Sequence, residues 1–359
     1  MKIFVSCGET SGDIILSHVI VELKKILSAC EFTGLCGNRS QDSGVQQPFN
    51  VKHFGSFGLP GFQTLLDHAR LYLETKKWLE HQKPDLVILC DYAEFNFLLA
   101  KLSSKLRIPI YWISPPQVWA WRKYRLRVLK KILVGAALIL PFEEMIWGDG
   151  QRFRFFAHPL GFLASKRVWK PNQNVIAIFP GSRLSELKAH YNTLNAFALK
   201  VKKMAPSVQF IVPAVLNKNI VSRFLDNSLF SFFDSSLDVL EICEFALIKS
   251  GSSTVEATCM GVPFVSFYRV SLLTEFFARM FLRVHSVTVA NLLVKDAVPE
   301  FLQSQFNSQN LVRYFFSRFN NEKDLIIQKL KSVKQILLPN DLNPFREIAN
   351  HIMFLCQKF

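Results

Sequence analysis

The sequence predicts an α/β protein with two Rossmann-like domains that face a central cleft. Short apolar segments alternate with amphipathic helical segments along the chain, which is typical of parallel sheets covered by helices. The length of 359 residues exceeds that of most single cores. A polar segment with Pro171 separates two such alternating blocks. We therefore assign 1–164 to an N-terminal domain, 165–174 to a linker and 175–359 to a C-terminal domain, whose last helices are free to return to the first.

Apolar runs and helical spacing define the elements of the first block. Strands are expected at Lys2–Cys7, Leu35–Cys36, Leu86–Cys90, Ile110–Ile113 and Leu138–Pro141. Helices are expected at Asp13–Ala29, Phe62–Glu80 and Phe95–Leu106. In the second block the expected strands are Val175–Phe179, Phe210–Val215, Phe245–Lys249 and Pro263–Phe267, with a helix at Ser185–Met204.

Composition limits the class of protein. Half of the residues are hydrophobic, which excludes a disordered chain, and the net charge of +15 suits nucleic acid, an anionic membrane face or phosphorylated substrates. Seven cysteines without a CxxC pair favour a reduced, cytosolic chain, and the histidines lack metal-ligand spacing. The apolar start is too short for a signal peptide, and the apolar run from Ile132 to Phe142 is too short to span a bilayer. We expect any membrane contact to be peripheral.

The most informative segment is SGSSTVE at 250–256, which follows an apolar run and opens a short helix. The unpaired amides at a helix start and its positive dipole end favour phosphate. The candidate binding residues are Gly251, Ser252, Ser253 and Thr254. Glu256, expected in the first helical turn, could reach a ribose beside that phosphate. The alternative is an ordinary capped helix with a favourable first-turn charge.

Two further loops follow predicted strands. Ser182 and Arg183 lie in PGSR at 180–183, where an arginine that opens a helix can meet a diphosphate. Glu9 lies in GETSGD at 8–13, which is neither GxGxxG nor a Walker loop. Glu9 either faces a substrate or belongs to a turn in which Ser11 or Asp13 caps the next helix.

Asp91 follows strand Leu86–Cys90 and could act as a general base that accepts a proton from an attacking hydroxyl. A helix-start carboxylate is the alternative. Glu94, one helical turn on, is expected to cap the helix or point to solvent. His158 is either a core or hinge residue or an active-site residue.

Two basic amphipathic stretches stand out. The run 122–131 is either a solvated helix face or a surface that attracts anionic lipid or a phosphorylated acceptor. Nucleic-acid binding is a third alternative, but no recognition module surrounds the run. The stretch 272–285 mixes Phe with Arg and either packs in the core or receives acyl chains.

A series of motifs carries a resemblance. The motifs are GETSGD (8–13), DYAEFN (91–96), SPPQVWAWR (114–122), LPFE (140–143), HPLG (158–161), PGSR (180–183), SGSSTVEATCMGVPFV (250–265), ANLL (290–293) and VPEFLQ (298–303). In order and spacing this series resembles the lipid-A-disaccharide synthase family, which are inverting glycosyltransferases of the GT-B type. The resemblance runs from the first strand to about Gln303.

The resemblance implies a reaction. UDP-2,3-diacylglucosamine would bind mainly in the C-terminal domain, and the 6-hydroxyl of 2,3-diacylglucosamine 1-phosphate would displace UDP to form the β-1,6 disaccharide of lipopolysaccharide biosynthesis. Asp91 would then be the base, Glu9 the acidic residue of the first loop, and Arg183 and Asn291 cleft residues important for activity. Ser252, Ser253 and Glu256 would lie on the nucleotide side.

The resemblance also implies no metal, no cofactor and no nucleic-acid partner, and a cytoplasmic protein peripheral to the inner membrane. It leaves a homodimer open. The chain departs from the family pattern at DYAEFN, where DAPDFN is common, at Ala290, where proline is common, and at 57–62, which leaves the acyl-chain length unassigned.

Two rival functions remain. Another GT-B UDP-sugar enzyme, such as an epimerase or a lipid-linked transferase, would share the phosphate loop and Glu256 but not the pair SPPQVWAWR and DYAEFN. A non-enzymatic module that binds nucleic acid or anionic lipid would rest on the charge of +15 and the run 122–131.

Overall fold

The computed structural model describes residues 1–49, 62–120, 122–213, 218–269 and 286–357. The chain divides into two compact units. Unit 1 comprises Met1–Pro159 with Asn340–Phe359, and unit 2 comprises Leu160–Pro339. Each unit contains a parallel β-sheet with helices, so the predicted α/β class with two parallel sheets is confirmed.

The described part of unit 1 contains a seven-stranded parallel sheet in the order β3-β2-β1-β4-β5-β6-β7. Its strands are β1 (Lys2–Ser6), β2 (Glu31–Leu35), β3 (Val45–Gln46), β4 (Leu86–Cys90), β5 (Ile110–Ile113), β6 (Gly135–Leu138) and β7 (Phe153–Phe155). The helices along this part are α1 (Thr10–Ile26), α2 (Asn38–Asp42), α3 (Phe62–Gln82), α4 (Ala93–Lys105), α5 (Tyr124–Ile132), α6 (Glu143–Trp147) and α7 (Pro159–Ser165), which runs on into unit 2.

The described part of unit 2 contains a six-stranded parallel sheet in the order β10-β9-β8-β11-β12-β13. Its strands are β8 (Val175–Phe179), β9 (Gln209–Pro213), β10 (Phe230–Phe233), β11 (Phe245–Lys249), β12 (Phe264–Tyr268) and β13 (Glu300–Leu302). Its helices are α8 (Leu184–Met204), α9 (Lys218–Val221), α10 (Ser236–Ile242), α11 (Ser252–Met260), α12 (Val289–Leu293), α13 (Ser308–Ser317) and α14 (Phe319–Leu337), and the chain ends with α15 (Pro344–Cys356) in unit 1.

Uniform burial explains which strands the sequence predicts well. The predicted bounds of β4, β5, β8 and β11 are confirmed, and all residues of the first three are buried. Parallel strands covered on both faces are continuous apolar runs, which sequence alone identifies. The bounds predicted for the strand at Leu35–Cys36 are wrong, because β2 spans Glu31–Leu35 and carries polar residues that interrupt the apolar pattern. The bounds predicted for the strand at Leu138–Pro141 are also wrong, because β6 spans Gly135–Leu138 and begins with glycine and alanines of low strand propensity.

The helix after β1 begins earlier than predicted, at Thr10 rather than Asp13. Gly12 therefore lies within α1 and not in a turn. A Cβ atom at Gly12 would lie 3.2 Å from the Cβ of Asp91, so a glycine lets α1 lie close to the end of β4.

The last helix, α15, packs in unit 1. The ring of Phe345 stacks on that of His18 of α1 at 4.7 Å, and His351 Nδ1 lies 2.7 Å from the Tyr111 hydroxyl of β5. The predicted linker 165–174 runs beside the end of α10, where the Trp169 indole donates to the Cys243 carbonyl. Its role as a linker stays a prediction. Among the described residues, no helix combines the length and apolar character that crossing a bilayer requires.

Candidate functional site

The sheet of unit 1 reverses its strand order between β1 and β4. Ligands of doubly wound sheets bind in the crevice outside the carboxyl ends of the strands at such a switch point. Glu9 follows β1 and Asp91 follows β4. The topology therefore brings these two predicted carboxylates to the same edge of the sheet at its switch point.

Two hydroxyl groups hold the Asp91 carboxylate. Ser11 Oγ of α1 donates to Asp91 Oδ2 at 3.2 Å, and Ser114 Oγ, which follows β5, donates to Oδ1 at 3.3 Å. The Asp91 amide donates to the Ile113 carbonyl at 3.2 Å. Asp91 is half-buried. Residues that follow three neighbouring strands thus fix a partly accessible carboxylate.

The backbone of this carboxylate is strained. Asp91 has φ of 50° and Tyr92 of 56°, a left-handed conformation that costs an L-residue about 1–2 kcal/mol. Ser114 also has a positive φ, of 54°. Strain of this kind persists where the contacts of the surrounding structure hold the backbone in place, and it concentrates at functional sites.

Asn96 of α4 holds the strained turn, and sequence analysis did not assign it a role. Its fully buried Nδ2 donates to the carbonyl of Asp91 at 2.9 Å and lies 3.2 Å from those of Cys90 and Ser6. Its Oδ1 accepts from Ser6 Oγ at 2.7 Å. One amide therefore joins the ends of β1 and β4. The sequence signal was the Asn that ends DYAEFN, whose purpose only the packed structure reveals.

The first loop differs from the capping prediction. Glu9 takes the N-cap position of α1, but its side chain does not cap the helix. Asp13 is buried and accepts from the amides of Gly37, Arg39 and Ser40 at 3.0–3.1 Å, so it caps α2 rather than α1. Asp13 is thus a structural carboxylate.

A buried glutamate fixes the next two loops. Glu143 accepts from the Trp119 indole at 3.0 Å and from the amides of Ile139 and Leu140 at 3.2 and 3.0 Å. Burial raises the pKa of Glu143 to about 7, although these three donors favour the charged form. Glu143 links the loop after β5 to the loop after β6.

Glu94 is exposed, as one of its two predicted alternatives has it, and it also pairs with two arginines. Its carboxylate lies 2.6 Å from the Arg122 guanidinium and 2.7 Å from that of Arg125. Partial burial opposes its ionisation, but the two arginines outweigh it and lower the pKa of Glu94. Arg125 is itself buried and lies over the Phe97 ring at 4.4 Å, so the basic run 122–131 is not wholly a solvated face.

The sheet of unit 2 has its switch point between β8 and β11. Ser182 and Arg183 follow β8, and segment 250–256 follows β11. Since these parallel strands are neighbours, both predicted loops lie at one edge of the sheet. Arg183 occupies the N-cap position of α8, as predicted, and is about a third exposed.

Helix α11 begins at Ser252, after the exposed Gly251. Ser252 is exposed and Ser253 half-buried, whereas the Thr254 hydroxyl is buried and donates to the Gly251 carbonyl at 2.6 Å. The prediction that Glu256 lies in the first turn of this helix is wrong, because the helix reaches Glu256 only after four residues. Burial raises the pKa of Glu256 to about 7, against hydrogen bonds from Ser236 and Ser253 that favour the charged form.

Two charged residues beside Arg183 were missed by sequence analysis. Glu186 Oε1 lies 2.7 Å from Lys249 Nζ and 3.7 Å from Arg183 Nη1, and Glu186 Oε2 accepts from the Ser182 amide at 3.0 Å. The signal was positional, since Lys249 ends β11 and Glu186 stands in the first turn of α8.

Asn291 lies in α12, where its side chain forms hydrogen bonds with both backbone groups of Val298. Its Nδ2 donates to the Val298 carbonyl at 2.9 Å, and its Oδ1 accepts from the Val298 amide at 2.8 Å. The segment before α12 contacts the segment 250–256, the phosphate-loop candidate, because Ser250 Oγ donates to the Val287 carbonyl. Asn291 is thus placed as a support of the chain next to that loop.

Other predicted features have mixed outcomes. His158 is buried, and burial lowers its pKa to about 4, so the ring is neutral at pH 7. The Phe- and Arg-rich stretch 272–285 and the segment 57–61 lie outside the described residues. Within the described part of the chain, no group of three or more His, Cys, Asp or Glu side chains is arranged to hold a metal ion.

Two doubly wound sheets, each with polar loops at its switch point, define a GT-B-like fold. Solved structures agree. UDP-GlcNAc 2-epimerase from Neisseria meningitidis aligns with a TM-score of 0.63 over 100% of both chains at 14% identity. The calicheamicin glycosyltransferase CalG4 aligns with a TM-score of 0.63 over 99% of this chain and 98% of its own, at 12% identity. These similarities show the fold alone.

Sequence similarity identifies the family. The model of the lipid-A-disaccharide synthetase family matches residues 3–343, and the chain belongs to this family. Lipid-A-disaccharide synthase 1 of Legionella pneumophila (strain Lens) is 31% identical over 94% of this chain and 93% of its own. The lipid-A-disaccharide synthase of Nitrosococcus oceani is 29% identical over 93% and 91%. Membership makes the chain a glycosyltransferase of lipid A biosynthesis.

Proposed function

We propose that the chain transfers 2,3-diacylglucosamine from UDP-2,3-diacylglucosamine to the 6-hydroxyl of 2,3-diacylglucosamine 1-phosphate, with inversion. The products are the β-1,6 disaccharide 1-phosphate and UDP. The observation that carries the proposal is the placement of the candidate groups. Glu9 and Asp91 follow the two strands at the switch point of one sheet, and Arg183 and the start of α11 follow the two strands at that of the other.

Asp91 acts as the general base in this proposal. It takes the proton of the acceptor hydroxyl while the oxygen forms a bond to the anomeric carbon of the donor. Its support is the half-buried carboxylate, which two hydroxyl groups and a strained turn hold in one orientation. Glu9, on the neighbouring strand, would bind hydroxyl groups of a sugar.

The leaving group needs positive charge. As the bond between the anomeric carbon and the diphosphate oxygen breaks, its electron pair stays on UDP, and preorganised donors stabilise that charge. Arg183 and the amides at the start of α11, next to Gly251, Ser252 and Ser253, are the proposed donors. Glu256 would bind the ribose, and Ser182 and Asn291 would support the neighbouring loops.

Peripheral contact with the anionic cytoplasmic face of the inner membrane would supply the lipid substrates. Helix α5 and the residue before it support this proposal, since Lys123, Arg127 and Lys131 are exposed and Tyr124 is 63% exposed. Such a surface binds anionic headgroups in a salt-dependent way. Flotation with anionic vesicles should therefore decline with added salt, and equal binding to neutral vesicles would contradict it.

A product assay tests the reaction. Purified protein is mixed with both lipid substrates, and mass spectrometry follows the tetraacyl disaccharide 1-phosphate and UDP. Formation of both supports the proposal. A folded protein that binds UDP but forms no disaccharide with several acyl lengths would refute it, and release of an epimerised sugar would favour the rival UDP-sugar enzyme.

A further inference from the structure

Lys249 lies in a charged cluster with Glu186 and Arg183, and the family resemblance gives Lys249 no role. Its Nζ lies 2.7 Å from Glu186 Oε1, and only 15% of its side chain is exposed. Arg183 Nη1 lies 3.7 Å from the same oxygen. Two cations therefore share one carboxylate oxygen at the switch point of the unit 2 sheet.

The carboxylate of Glu186 is itself anchored. Its Oε2 accepts from the Ser182 amide at 3.0 Å, which leaves Oε1 to the two cations. Gly181 permits this approach, because a Cβ atom there would lie 2.5 Å from Oε2. The backbone of Gly181 has φ of +120°, which also favours glycine. The loop after β8 is thus shaped around Glu186.

The position of Lys249 points toward the phosphate-loop candidate. It is the last residue of β11 and directly precedes the turn that opens α11. A Cβ atom on Gly251 would have Lys249 Nζ as its nearest neighbour, at 3.8 Å. The ammonium group also lies 5.2 Å from the centre of the Tyr268 ring, which limits its freedom.

The side chains of the cluster suit a diphosphate. Lys249 and Arg183 place an ammonium group and a guanidinium group beside the same carboxylate oxygen. Lysine binds phosphate as a point charge, and arginine binds it through a planar fork of donors.

We propose that Lys249 binds the diphosphate of the UDP-sugar donor, and that Glu186 positions both Lys249 and Arg183 for it. The inference rests on the proposed function and deepens its leaving-group site. Lys249 contacts the group that departs, whereas Glu186 acts through the two cations.

The first test measures binding of UDP and of uridine to Lys249→Gln. We expect the Kd for UDP to rise about tenfold or more, the size of a lost charge-assisted hydrogen bond, and the Kd for uridine to stay unchanged. Lys249→Arg should recover part of the UDP affinity. The matched control is Lys323→Gln, which removes a similar ion pair with Glu244 at 3.0 Å and should leave both constants unchanged. Unchanged UDP affinity, or an equal loss for uridine, would overturn the role of Lys249.

The second test separates positioning from bulk charge. Glu186→Gln adds net positive charge, so simple electrostatics would tighten UDP binding. If Glu186 positions the cations, UDP binding weakens instead, and kcat falls more than KM rises. Tighter binding would overturn the positioning role.

The two proposals can fail separately. A protein that forms no disaccharide but loses UDP affinity in Lys249→Gln would refute the acceptor or product and keep the diphosphate site. A protein that forms the disaccharide with unchanged UDP affinity in Lys249→Gln would keep the reaction and refute the inference.

Discussion

Each of the two switch points has a turn with positive φ next to a candidate functional side chain, but different residue types occupy these turns. In unit 1 the left-handed residues include Asp91 and Tyr92, so the backbone strain falls on a candidate functional side chain. In the loop after β8 of unit 2 a glycine, Gly181, takes the left-handed conformation, and the functional candidate Arg183 has an extended backbone. A carboxylate that must stand at that turn cannot be replaced by glycine. Unit 1 therefore needs the Asn96 clamp, whereas unit 2 gains its conformation from glycine.

The largest effect at the two switch points is expected for the Asp91 carboxylate. We expect Asp91→Asn to lower kcat by about 10²–10⁴ with the fold retained, because the amide cannot accept the proton. The control is Asp85→Asn, just before the other end of β4. Asp85 Oδ2 accepts from the Lys2 amide, and this substitution should leave kcat unchanged. Arg183→Ala should also nearly abolish transfer, through the leaving group. Normal turnover of a folded Asp91→Asn protein would remove Asp91 as the base.

Within the described residues, each unit also buries a glutamate with a pKa of about 7, Glu143 in unit 1 and Glu256 in unit 2. Because each carboxyl group binds its proton more tightly in the folded chain, its contribution to stability is full below the unfolded pKa and is lost as pH rises through about 7. The unfolding free energy of wild type relative to Glu143→Gln or Glu256→Gln should fall by about 2–3 kcal/mol between pH 5 and 8. Urea unfolding measures it, and a difference independent of pH would contradict the raised pKa values.

Asn96→Ala tests the clamp. Loss of the buried amide leaves the Ser6 hydroxyl and the Asp91 carbonyl without their partner, so we expect about 1–3 kcal/mol of destabilisation and a lower kcat. The control is Asn195→Ala in unit 2, whose amide joins Phe224 and Asp226 in a similar way. It should lose stability but keep kcat per folded molecule. Equal kcat in both variants would deny Asn96 a positioning role.

The smallest effect concerns glycine in unit 2. Gly181→Ala places Cβ in a left-handed conformation and against Glu186, so the unfolding free energy should fall by about 1–2 kcal/mol. In Gly251→Ala the new Cβ lies 3.8 Å from Lys249 Nζ on an extended backbone, so the unfolding free energy should change by no more than about 0.5 kcal/mol. Thermal unfolding of the two variants measures the contrast. Equal destabilisation would mean that the close approach of Glu186 does not require a glycine at position 181.

Sequence reasoning succeeded where a local pattern carries the information. Strands such as Leu86–Cys90 and Val175–Phe179 are continuous apolar runs and were predicted with their bounds. It misplaced the bounds of the strands Glu31–Leu35 and Gly135–Leu138, whose polar or small residues become strands only through their neighbours. The short strands β3 and β7 at the sheet edges were not predicted, since two or three residues carry too little periodicity.

The sequence by itself determined the α/β class and the family, and it singled out Asp91, Arg183 and the segment 250–256 as candidates, because motif order and apolar periodicity are local properties of the chain. The tertiary structure decided which strands are neighbours. That choice places Asn96 under Asp91, joins Glu143 to Trp119, and brings Lys249 to Glu186, which stands 63 positions earlier in the chain. These contacts depend on strand order, and strand order follows from burying both faces of a sheet at once, a requirement that no local segment can express.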